Sequence, residues 1–559
     1  MLKNHYDAIV VGSGISGGWA AKELCKKGLK VLLLERGKNI EHIKGYEKAT
    51  TPTWDLPLRG QLSTAQKNKM SLASLGYGVK EGNYDWWVTK NEHEYIEKKP
   101  FDWIRGYQVG GRSLLWGRQS YRLSDLDFEA NIKEGIGVDW PIRYKDIARW
   151  YDYVERFAGI SGSKENLSQL PDGKFLPPME MNCVERDVAD KINKTYKGTR
   201  RMIIGRSANI TKPIHGRMNC QYRNKCNHGC PFGGYFSSQS STLPAAFATG
   251  NLTLRPFSLV THINYDKENK KATGVSVLDS ETNLTYEFTS KIIFLCASTI
   301  NSTSILMNSA NDIWEGGLGS SSGELGHNLM DHQLNVGASG MFPGHEDKYY
   351  YGRRPNGIYI PRYKNLKGEN KDFLRGYGYQ GGGGRVGWQR NVAEINMGVE
   401  LKETLSEPGI WTMGIVGFGE ILPYYDNKIT LNHQIRDKNG LPTIEVDSEL
   451  KSNELIMRKI IGEDAAEMLD TSGVKNVNIF DGGYNMGKGI HEMGTARMGK
   501  NHKTSVLNQY NQVWDAKNVF VTDGACMTSS GVVNPSLTYM ALTARACSYA
   551  VDQMKKLNL

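Results

Sequence analysis

The fold is decided by residues 6–35, YDAIVVGSGISGGWAAKELCKKGLKVLLLE. A short apolar run at 6–11 precedes the glycine-rich segment GSGISG at 12–17, and a helical stretch at 19–27 leads to a second apolar run at 30–34. Short apolar runs bounded by glycine are typical of buried parallel strands. The segment therefore predicts a strand–helix–strand unit of a Rossmann-like α/β fold.

The glycine loop between the two apolar runs has the spacing of a dinucleotide fingerprint. Gly12, Gly14 and Gly17 would let the backbone turn tightly, approach a pyrophosphate and pack the helix on the strand. The helix N-terminus would offer free N–H groups and a partial positive charge to the phosphates. Glu35 follows at the distance where an acid binds a ribose diol, which disfavours NADP. The motif leaves FAD and NAD both open.

Composition excludes several other classes of protein. The 559 residues include 39% apolar and 23% charged residues, a globular composition that argues against disorder, collagen and coiled coil. No apolar run is long enough to span a membrane, and the first residues lack the pattern of a signal peptide. The net charge of +10 is scattered, which favours a solvated basic surface over nucleic-acid binding. Eight cysteines are too few for a disulfide scaffold.

Further strand signals occur along the whole chain. They lie at residues 252–260, 273–278, 291–295 and 518–521, and a final helix is expected from about residue 535. Residues 331–484 alternate apolar and polar positions and are rich in Gly, Tyr and Asn, which predicts a mostly antiparallel sheet. The nucleotide-binding pattern thus occurs in pieces at both ends of the chain, with substrate-type sequence between them.

Five motifs, in order along the chain, resemble one enzyme family. Besides the glycine fingerprint, they are VGGRS and the residues after it at 109–122, CAS and the residues after it at 296–306, HEMGTARMG at 491–499, and VTDGA at 521–525 with NPSLT at 534–538. These motifs resemble those of the glucose–methanol–choline (GMC) oxidoreductases. The resemblance implies FAD as the cofactor and oxidation of an alcohol as the reaction.

The resemblance also implies roles for individual residues. His491 would be the catalytic base, because a neutral imidazole accepts a proton near working pH. Asn534 would donate a hydrogen bond to the alcohol oxygen, and it could also cap the helix that Pro535 begins. That helix would direct its positive end at the N1–C2=O edge of the flavin. His332, in the segment NLMDH at 328–332, and His502 are weaker candidates for a catalytic histidine.

Seventeen residues are expected to contact or support the cofactor. They are Gly12, Gly14, Ser16, Gly17, Glu35, Arg36, Gly110, Gly111, Ser113, Trp116, Gly117, Val260, Ala297, Asp523, Gly524, Asn534 and Pro535. Some family members bond FAD covalently through a histidine, and Leu115 occupies that place in this sequence. Leucine cannot form the bond, so we expect FAD to be bound non-covalently.

Cys220, Cys226 and Cys230 lie close together in MNCQYRNKCNHGCPFGG, at 218–234. Three thiolates can hold a [3Fe–4S] cluster, or with His228 a zinc ion, and unliganded thiols are a third interpretation. The spacing resembles that in the catalytic subunits of bacterial FAD-dependent glucose and glucoside 3-dehydrogenases, which implies the iron–sulfur cluster. Such a one-electron centre would pass electrons to an external acceptor, so we expect a dehydrogenase.

The resemblance to the glucoside 3-dehydrogenases also suggests the substrate. GGRSLLWGRQSYR at 110–122 and NPSLTYMALTARA at 534–546 are most similar to glucoside 3-dehydrogenases, which make 3-keto sugars. The alternatives are oxidation of a sugar or sugar acid at C2, as in pyranose 2-oxidases and gluconate dehydrogenases, and a non-catalytic flavin subunit for electron transfer. Aromatic and polar residues that suit a pyranose, but could equally be core, are Tyr349–Tyr351, Tyr377, Tyr379, Gln380, Trp388, Trp411 and Glu420.

The expected architecture is an α/β protein with a Rossmann-like three-layer FAD-binding domain and a discontinuous α+β substrate domain built on an antiparallel sheet. The FAD-binding domain is expected at 1–60, 100–125, 205–330 and 485–559, and the substrate domain at 61–99, 126–204 and 331–484. The resemblance implies a small accessory subunit and a cytochrome-type acceptor as partners. It places the protein in the periplasm, through a signal on the partner, or else in the cytoplasm.

Overall fold

A computed structural model of the protein describes residues 4–350, 352, 354–370, 372–387 and 397–559. The strands are β1 (His5–Val11), β2 (Val31–Leu34), β3 (Tyr95–Glu97), β4 (Ile203–Ile204), β5 (Leu252–Arg255), β6 (Ser258–Asp266), β7 (Lys271–Asp279), β8 (Thr285–Leu295), β9 (His332–Gln333), β10 (Val336–Phe342), β11 (Ile358–Ile360), β12 (Tyr377–Arg385), β13 (Trp411–Glu420), β14 (Lys428–Arg436), β15 (Pro442–Asp447), β16 (Lys475–Asp481) and β17 (Val519–Val521). The helices are α1 (Ile15–Lys26), α2 (Thr64–Lys69), α3 (Leu72–Tyr77), α4 (Asp125–Phe128), α5 (Ala130–Glu134), α6 (Tyr144–Ala158), α7 (Cys183–Thr195), α8 (Leu243–Phe247), α9 (Thr299–Asn308), α10 (Val399–Ser406), α11 (Ser452–Thr471) and α12 (Ser536–Lys555).

The first sheet brings distant parts of the chain to one edge. Its strand order is β5-β2-β1-β8-β7-β6, with β17 beside the second half of β8. The pairs β5–β2, β2–β1, β1–β8 and β8–β17 are all parallel. Val11 lies beside both Leu34 and Leu295, and Leu295 lies beside Val521. The residues that follow these four strands therefore meet at the carboxyl edge, where α/β sheets bind ligands.

The second sheet is antiparallel, with the order β16-β10-β13-β12-β11-β4 and with β9 beside β13. Six of its seven strands come from residues 331–484, as the alternating sequence predicts. Helix α11, which packs on this sheet, was not predicted from the sequence. The buried residues of α11 include Met457, Ile461, Ala465 and Met468, a helical spacing hidden within a region that otherwise alternates like strands.

A third, small sheet has the order β14-β15-β3. Strands β14 and β15 form an antiparallel pair, and β3 lies parallel to β15. No helix in the described part of the chain combines the length and the apolar character that a bilayer crossing requires.

The strand predicted at 252–260 is two strands in the structure. β5 pairs with β2, whereas β6 pairs with β7. Pro256 lies between them, and Phe257 has a positive φ of 54°. Proline lacks the N–H that a continuous ladder needs, and a left-handed residue turns the chain, so the apolar run is interrupted there.

Candidate active site

A cavity of about 240 Å³ opens at the carboxyl edge of the first sheet. Most residues expected at the cofactor and the substrate line it: Gly12, Gly14, Ser16, Glu35, Arg36, Gly111, Ser113, Trp116, Gly117, Val260, Ala297, His491, Asp523, Gly524 and Asn534. Gly17, Gly110 and Pro535 do not line the cavity. Gly17 and Gly110 contact the first glycine loop instead, at Gly12 and Ser13.

The glycine loop has the shape that a phosphate-binding turn requires. Gly12 has φ of +89°, and a Cβ atom there would lie 2.5 Å from the carbonyl oxygen of Cys296. A Cβ at Gly17 would lie 1.7 Å from the carbonyl oxygen of Gly12, so this glycine allows α1 to pack on β1. A Cβ at Gly14 would meet nothing within 4 Å. Gly14 therefore leaves open space beside the N-terminus of α1, which is the cradle a pyrophosphate needs.

Glu35 is buried and fastened to the same loop. One of its carboxylate oxygens accepts hydrogen bonds from the backbone N–H of Ser13 at 3.1 Å and from the Ser13 hydroxyl at 2.6 Å. The Ser13 Oγ also accepts the backbone N–H of Gly110 at 2.8 Å. Burial raises the pKa of Glu35, although these hydrogen bonds oppose the change. Ser13 thus joins Glu35 to the second glycine segment, a role that the sequence analysis missed.

At the opposite end of the cavity, a strained turn presents His491. Ile490 has φ of +62°, a costly conformation for a β-branched residue. Asp331 fixes this turn, because its two carboxylate oxygens accept the backbone N–H groups of Gly489 and His491, each at 2.9 Å. Tyr484 donates its hydroxyl hydrogen to Asp331 at 2.6 Å. Burial, together with the nearby Glu492, raises the pKa of Asp331 to about 6.

His332 determines which nitrogen of His491 carries the proton. The Nε2 of His332 lies 2.9 Å from the carbonyl oxygen of Gly531, which can only accept, so this nitrogen is the donor. In the neutral ring, Nδ1 of His332 is then an acceptor, and it lies 3.0 Å from Nδ1 of His491. His491 therefore carries its hydrogen on Nδ1. Its Nε2 has no hydrogen-bond partner among the described residues and keeps a free lone pair.

Both imidazoles are neutral at pH 7. Burial, the neighbouring His332 and the positive charge of Arg112 lower the pKa of His491 well below its usual 6.5. Burial also lowers the pKa of His332 to about 4. A neutral ring with a free Nε2 is the form in which histidine accepts a proton from an alcohol.

Asn534 is oriented by a residue from the second sheet. Gln380 on β12 donates a hydrogen bond from Nε2 to Oδ1 of Asn534 at 2.5 Å. The amide oxygen of Asn534 is thus occupied, and its N–H donors remain for a ligand in the cavity. His332 also contacts this loop, since Gly531, which accepts its hydrogen bond, lies three residues before Asn534. His332 therefore links the two residues expected to act on the substrate.

Arg112 is a further charged residue of the cavity wall. It donates to Glu492 at 2.8 Å and to the carbonyl oxygen of Ile490 at 3.3 Å. Arg112 belongs to the VGGRS motif, but no role was predicted for it from the sequence. Its contact with a residue more than 300 positions away has no local signal in the sequence. Of the two weaker histidine candidates, His332 reaches the site, whereas His502 is exposed and lies near Trp514.

The aromatic residues proposed to suit a pyranose lie elsewhere. Tyr377, Tyr379 and Trp411 are buried in the core of the second sheet, and Tyr351 and Trp388 are outside the described residues. The aromatic residues that do line the cavity are Tyr77, Trp87, Tyr107, Trp116 and Tyr539. Period-two alternation places tyrosines on a sheet face but does not show whether that face meets a cavity or a helix.

The cysteine loop forms a separate small cavity. Cys220, Cys226 and Cys230 all line it, and His228 does not, because its ring packs against Gly82 instead. All three thiols are free, and burial raises the pKa of Cys220 to about 11. In the described residues, no three His, Cys, Asp or Glu side chains converge as a metal ion requires. The [3Fe–4S] cluster and the alternative zinc site with His228 therefore stay predictions.

Comparisons with known proteins find one sequence family over most of the chain. Two sequence profiles described as GMC oxidoreductase match residues 6–334 and 423–543. The 2-methyl-1,2-propanediol dehydrogenase of Mycolicibacterium austroafricanum is 28% identical, covering 97% of this chain and 94% of its own. The fructose dehydrogenase large subunit of Gluconobacter japonicus is 24% identical, with 98% of each chain covered. The gluconate 2-dehydrogenase flavoprotein of Pantoea cypripedii is 22% identical, covering 96% of this chain and 92% of its own.

A solved structure shares the fold. Formate oxidase of Aspergillus oryzae RIB40, studied for its FAD modification, aligns over 99% of both chains with a TM-score of 0.63 and 14% sequence identity. The expected fold class, an α/β flavin-binding fold with an antiparallel sheet, is confirmed.

The two glycines of the loop should respond differently to one added methyl group. Gly17→Ala should destabilise the fold by about 1–3 kcal/mol, because the Cβ meets the Gly12 carbonyl oxygen and must displace α1. Gly14→Ala should leave the unfolding temperature of the FAD-free protein unchanged but weaken FAD binding. Thermal unfolding and FAD titration measure the two effects. Equal unfolding temperatures for both variants would contradict this account.

Replacements of His332 should separate its hydrogen bonds from its bulk. His332→Gln offers an acceptor to His491 and a donor to Gly531, so flavin reduction should remain within about tenfold of wild type. His332→Leu offers neither, and we expect the rate to fall about 100-fold with FAD content unchanged, because a misplaced catalytic group costs about that much. Anaerobic stopped-flow absorbance measures the rate. A Leu variant as fast as the Gln variant would overturn the positioning role.

The pH dependence should reflect the environment of His491. Since its pKa is lowered well below 6.5, flavin reduction should be constant from pH 8 to 6.5 and fall only in more acidic solution. Arg112→Gln removes a nearby positive charge and leaves Glu492 unpaired. Both changes favour the imidazolium form, so the acid limb should move up by roughly one pH unit. The exposed Arg149→Gln is the control, and an identical profile for the Arg112 variant would contradict the assignment.

Proposed function

This chain belongs to the GMC oxidoreductase family, and we propose that it is a FAD-dependent dehydrogenase that oxidises a secondary hydroxyl group of a sugar or glycoside. One observation carries the proposal. A neutral imidazole with a free Nε2 and an amide with free N–H donors line one cavity, whose other end is a dinucleotide cradle. We favour the 3-hydroxyl, which gives a 3-keto sugar, on the resemblance of residues 110–122 and 534–546 to glucoside 3-dehydrogenases.

The cavity fits FAD in several respects. Gly14 would admit the pyrophosphate, and Glu35 and Val260 would flank the ribose and adenine. Residues 534 and 536, at the start of α12, line the cavity, so the positive end of this helix would face the negative charge of a reduced flavin. Leu115 also lines the cavity and cannot bond covalently to the ring, which supports non-covalent binding. When bound, FAD accepts the hydride that leaves the alcohol carbon.

The chain itself supplies the binding and proton-transfer groups. Asn534 would donate an N–H to the substrate oxygen, with the amide held in this orientation by Gln380. Nε2 of His491 would accept the hydroxyl proton as the C–O bond becomes a carbonyl. The Nδ1–H of His491 would continue to donate to His332, so the ring keeps its position in both protonation states. A non-catalytic electron-transfer subunit would need neither His491 nor Asn534.

Electron transfer beyond the flavin remains a proposal from the resemblance. The cluster would need Cys220, Cys226 and Cys230 to converge further than they do in this structure. In favour of it, the three thiols already surround one cavity without a competing histidine. We propose that a small accessory subunit and a cytochrome-type acceptor take the electrons. The subunit designation of the Gluconobacter japonicus relative is consistent with a multi-subunit arrangement.

The experiment is anaerobic reduction of the purified enzyme by methyl β-D-glucoside, with iron and sulfide assays on the same sample. We expect the flavin bands to bleach, the ketone to appear at C3 by NMR, and iron–sulfur absorption to be present. The His491→Ala variant should still bind FAD, but the glucoside should reduce its flavin about 10²–10⁴-fold more slowly, because a positioned base usually contributes that much. Unchanged reduction by this variant would contradict the catalytic assignment.

The metal assay has its own decisive outcomes. Iron and sulfide in the wild type, lost in a Cys226→Ser variant, would support the cluster. Their absence from enzyme that is still reduced by the glucoside would remove the cluster and leave oxygen open as an acceptor. Failure of every sugar tested to bleach the flavin would overturn the proposed substrate class.

A further inference from the structure

Arg118 lies in the wall of the same cavity, directly after Trp116 and Gly117. Its backbone is left-handed, with φ of +65°, which is unfavourable for a residue with a long side chain. The conformation is held because the carbonyl oxygen of Arg118 accepts hydrogen bonds from the backbone N–H of Ala208 at 2.8 Å and from the Ser120 hydroxyl at 3.0 Å. The fold therefore imposes the direction of this side chain at a backbone cost.

The charge of Arg118 is not balanced within the described residues. Arg112 in the same wall pairs with Glu492, and the neighbouring Arg122 pairs with Glu155 and Asp152. The guanidinium of Arg118 has no carboxylate within 4 Å in the described chain, and its buried Nε lacks an acceptor.

The guanidinium of Arg118 lies over the ring of Tyr235, with its central carbon 5.1 Å from the ring centroid. A buried donor without an acceptor is unfavourable unless a ligand supplies one.

The position of Arg118 favours the substrate end of the cavity. Gln119, the next residue in the cavity wall, donates a hydrogen bond to Asn356, which precedes β11. Tyr359 of β11 lies beside Gln380 of β12, and Gln380 orients Asn534. The segment that carries Arg118 therefore lies against the part of the second sheet that holds Asn534.

We infer that Arg118 binds an anionic group of the substrate, a carboxylate or a phosphate, beside the hydroxyl that is oxidised. The planar guanidinium presents two parallel N–H donors, which match either group in a bidentate contact. This inference rests on the proposed function and narrows it. The natural substrate class becomes an acidic sugar or sugar derivative, oxidised at a neutral hydroxyl by His491 and Asn534.

The test compares three probes: methyl β-D-glucoside, methyl β-D-glucuronide and methyl β-D-glucoside 6-phosphate. The probe concentration that half-saturates the rate of anaerobic flavin reduction should be about 10- to 100-fold lower for one of the charged probes than for the neutral probe. This is the range expected of a charge-assisted bidentate contact. Which charged probe is preferred distinguishes a carboxylate from a phosphate. Equal half-saturation for all three would overturn the inference.

Variants locate the effect at Arg118. In the Arg118→Gln variant, the charged and neutral probes should reach half-saturation at similar concentrations, and Arg118→Lys should restore part of the preference for the charged probe. Arg149→Gln, an exposed arginine that lies over Trp150, should behave as wild type. A preference that persists in Arg118→Gln would contradict the inference, as would loss of bound iron in this variant, which would assign Arg118 to the cysteine loop.

Binding without turnover separates the two proposals. If no probe reduces the flavin, the proposed function fails, and the difference spectrum of the oxidised flavin still reports binding. A spectral change with a charged probe in wild type, absent from Arg118→Gln, would support the anion site even then. No spectral change with either charged probe would overturn it.

Discussion

The site depends on the register of four parallel strands. β1, β2, β8 and β17 end side by side at Val11, Leu34, Leu295 and Val521. The glycine loop, Glu35, the segment from Cys296 and the segment that contains Asp523 are thereby brought to one edge, although they come from both ends of the chain. A shift of one residue in any of these pairings would point each strand's buried side chains to the opposite face. Burial on both faces of the sheet therefore also secures the position of the cavity.

The substrate end is held by contacts among residues far apart in sequence. Asp331 and His332 are neighbours in the chain but serve different purposes. Asp331 fixes the backbone of the turn that carries His491, and His332 fixes the protonation of its ring. The second nitrogen of His332 holds the loop that carries Asn534, whose amide is oriented by Gln380 from the antiparallel sheet. The two proposed substrate-contacting groups are thus set by one hydrogen-bonded network.

Local sequence was sufficient for the dinucleotide end of the cavity. β1, α1 and β2 follow one another directly, and their apolar periods and glycine spacing are visible within thirty residues. The antiparallel sheet was predictable from alternation, whereas α11 was hidden within it. The contacts of Arg112 with Glu492 and of His332 with His491 could not be predicted, because they depend on tertiary packing. The assignments of His491, Asn534 and the cysteine loop came from a resemblance, and they stay proposals about chemistry even though His491 and Asn534 share one cavity.

The central claim is that His491 is neutral and holds its single proton on Nδ1, which leaves Nε2 free for the substrate. The most direct measurement is nitrogen-15 NMR of FAD-bound enzyme labelled at its 12 histidines, with the signals of His491 assigned from a His491→Gln sample. At pH 7 we predict that Nδ1 of His491 is protonated and that its Nε2 is unprotonated. A proton on Nε2, or protons on both nitrogens, would contradict the account.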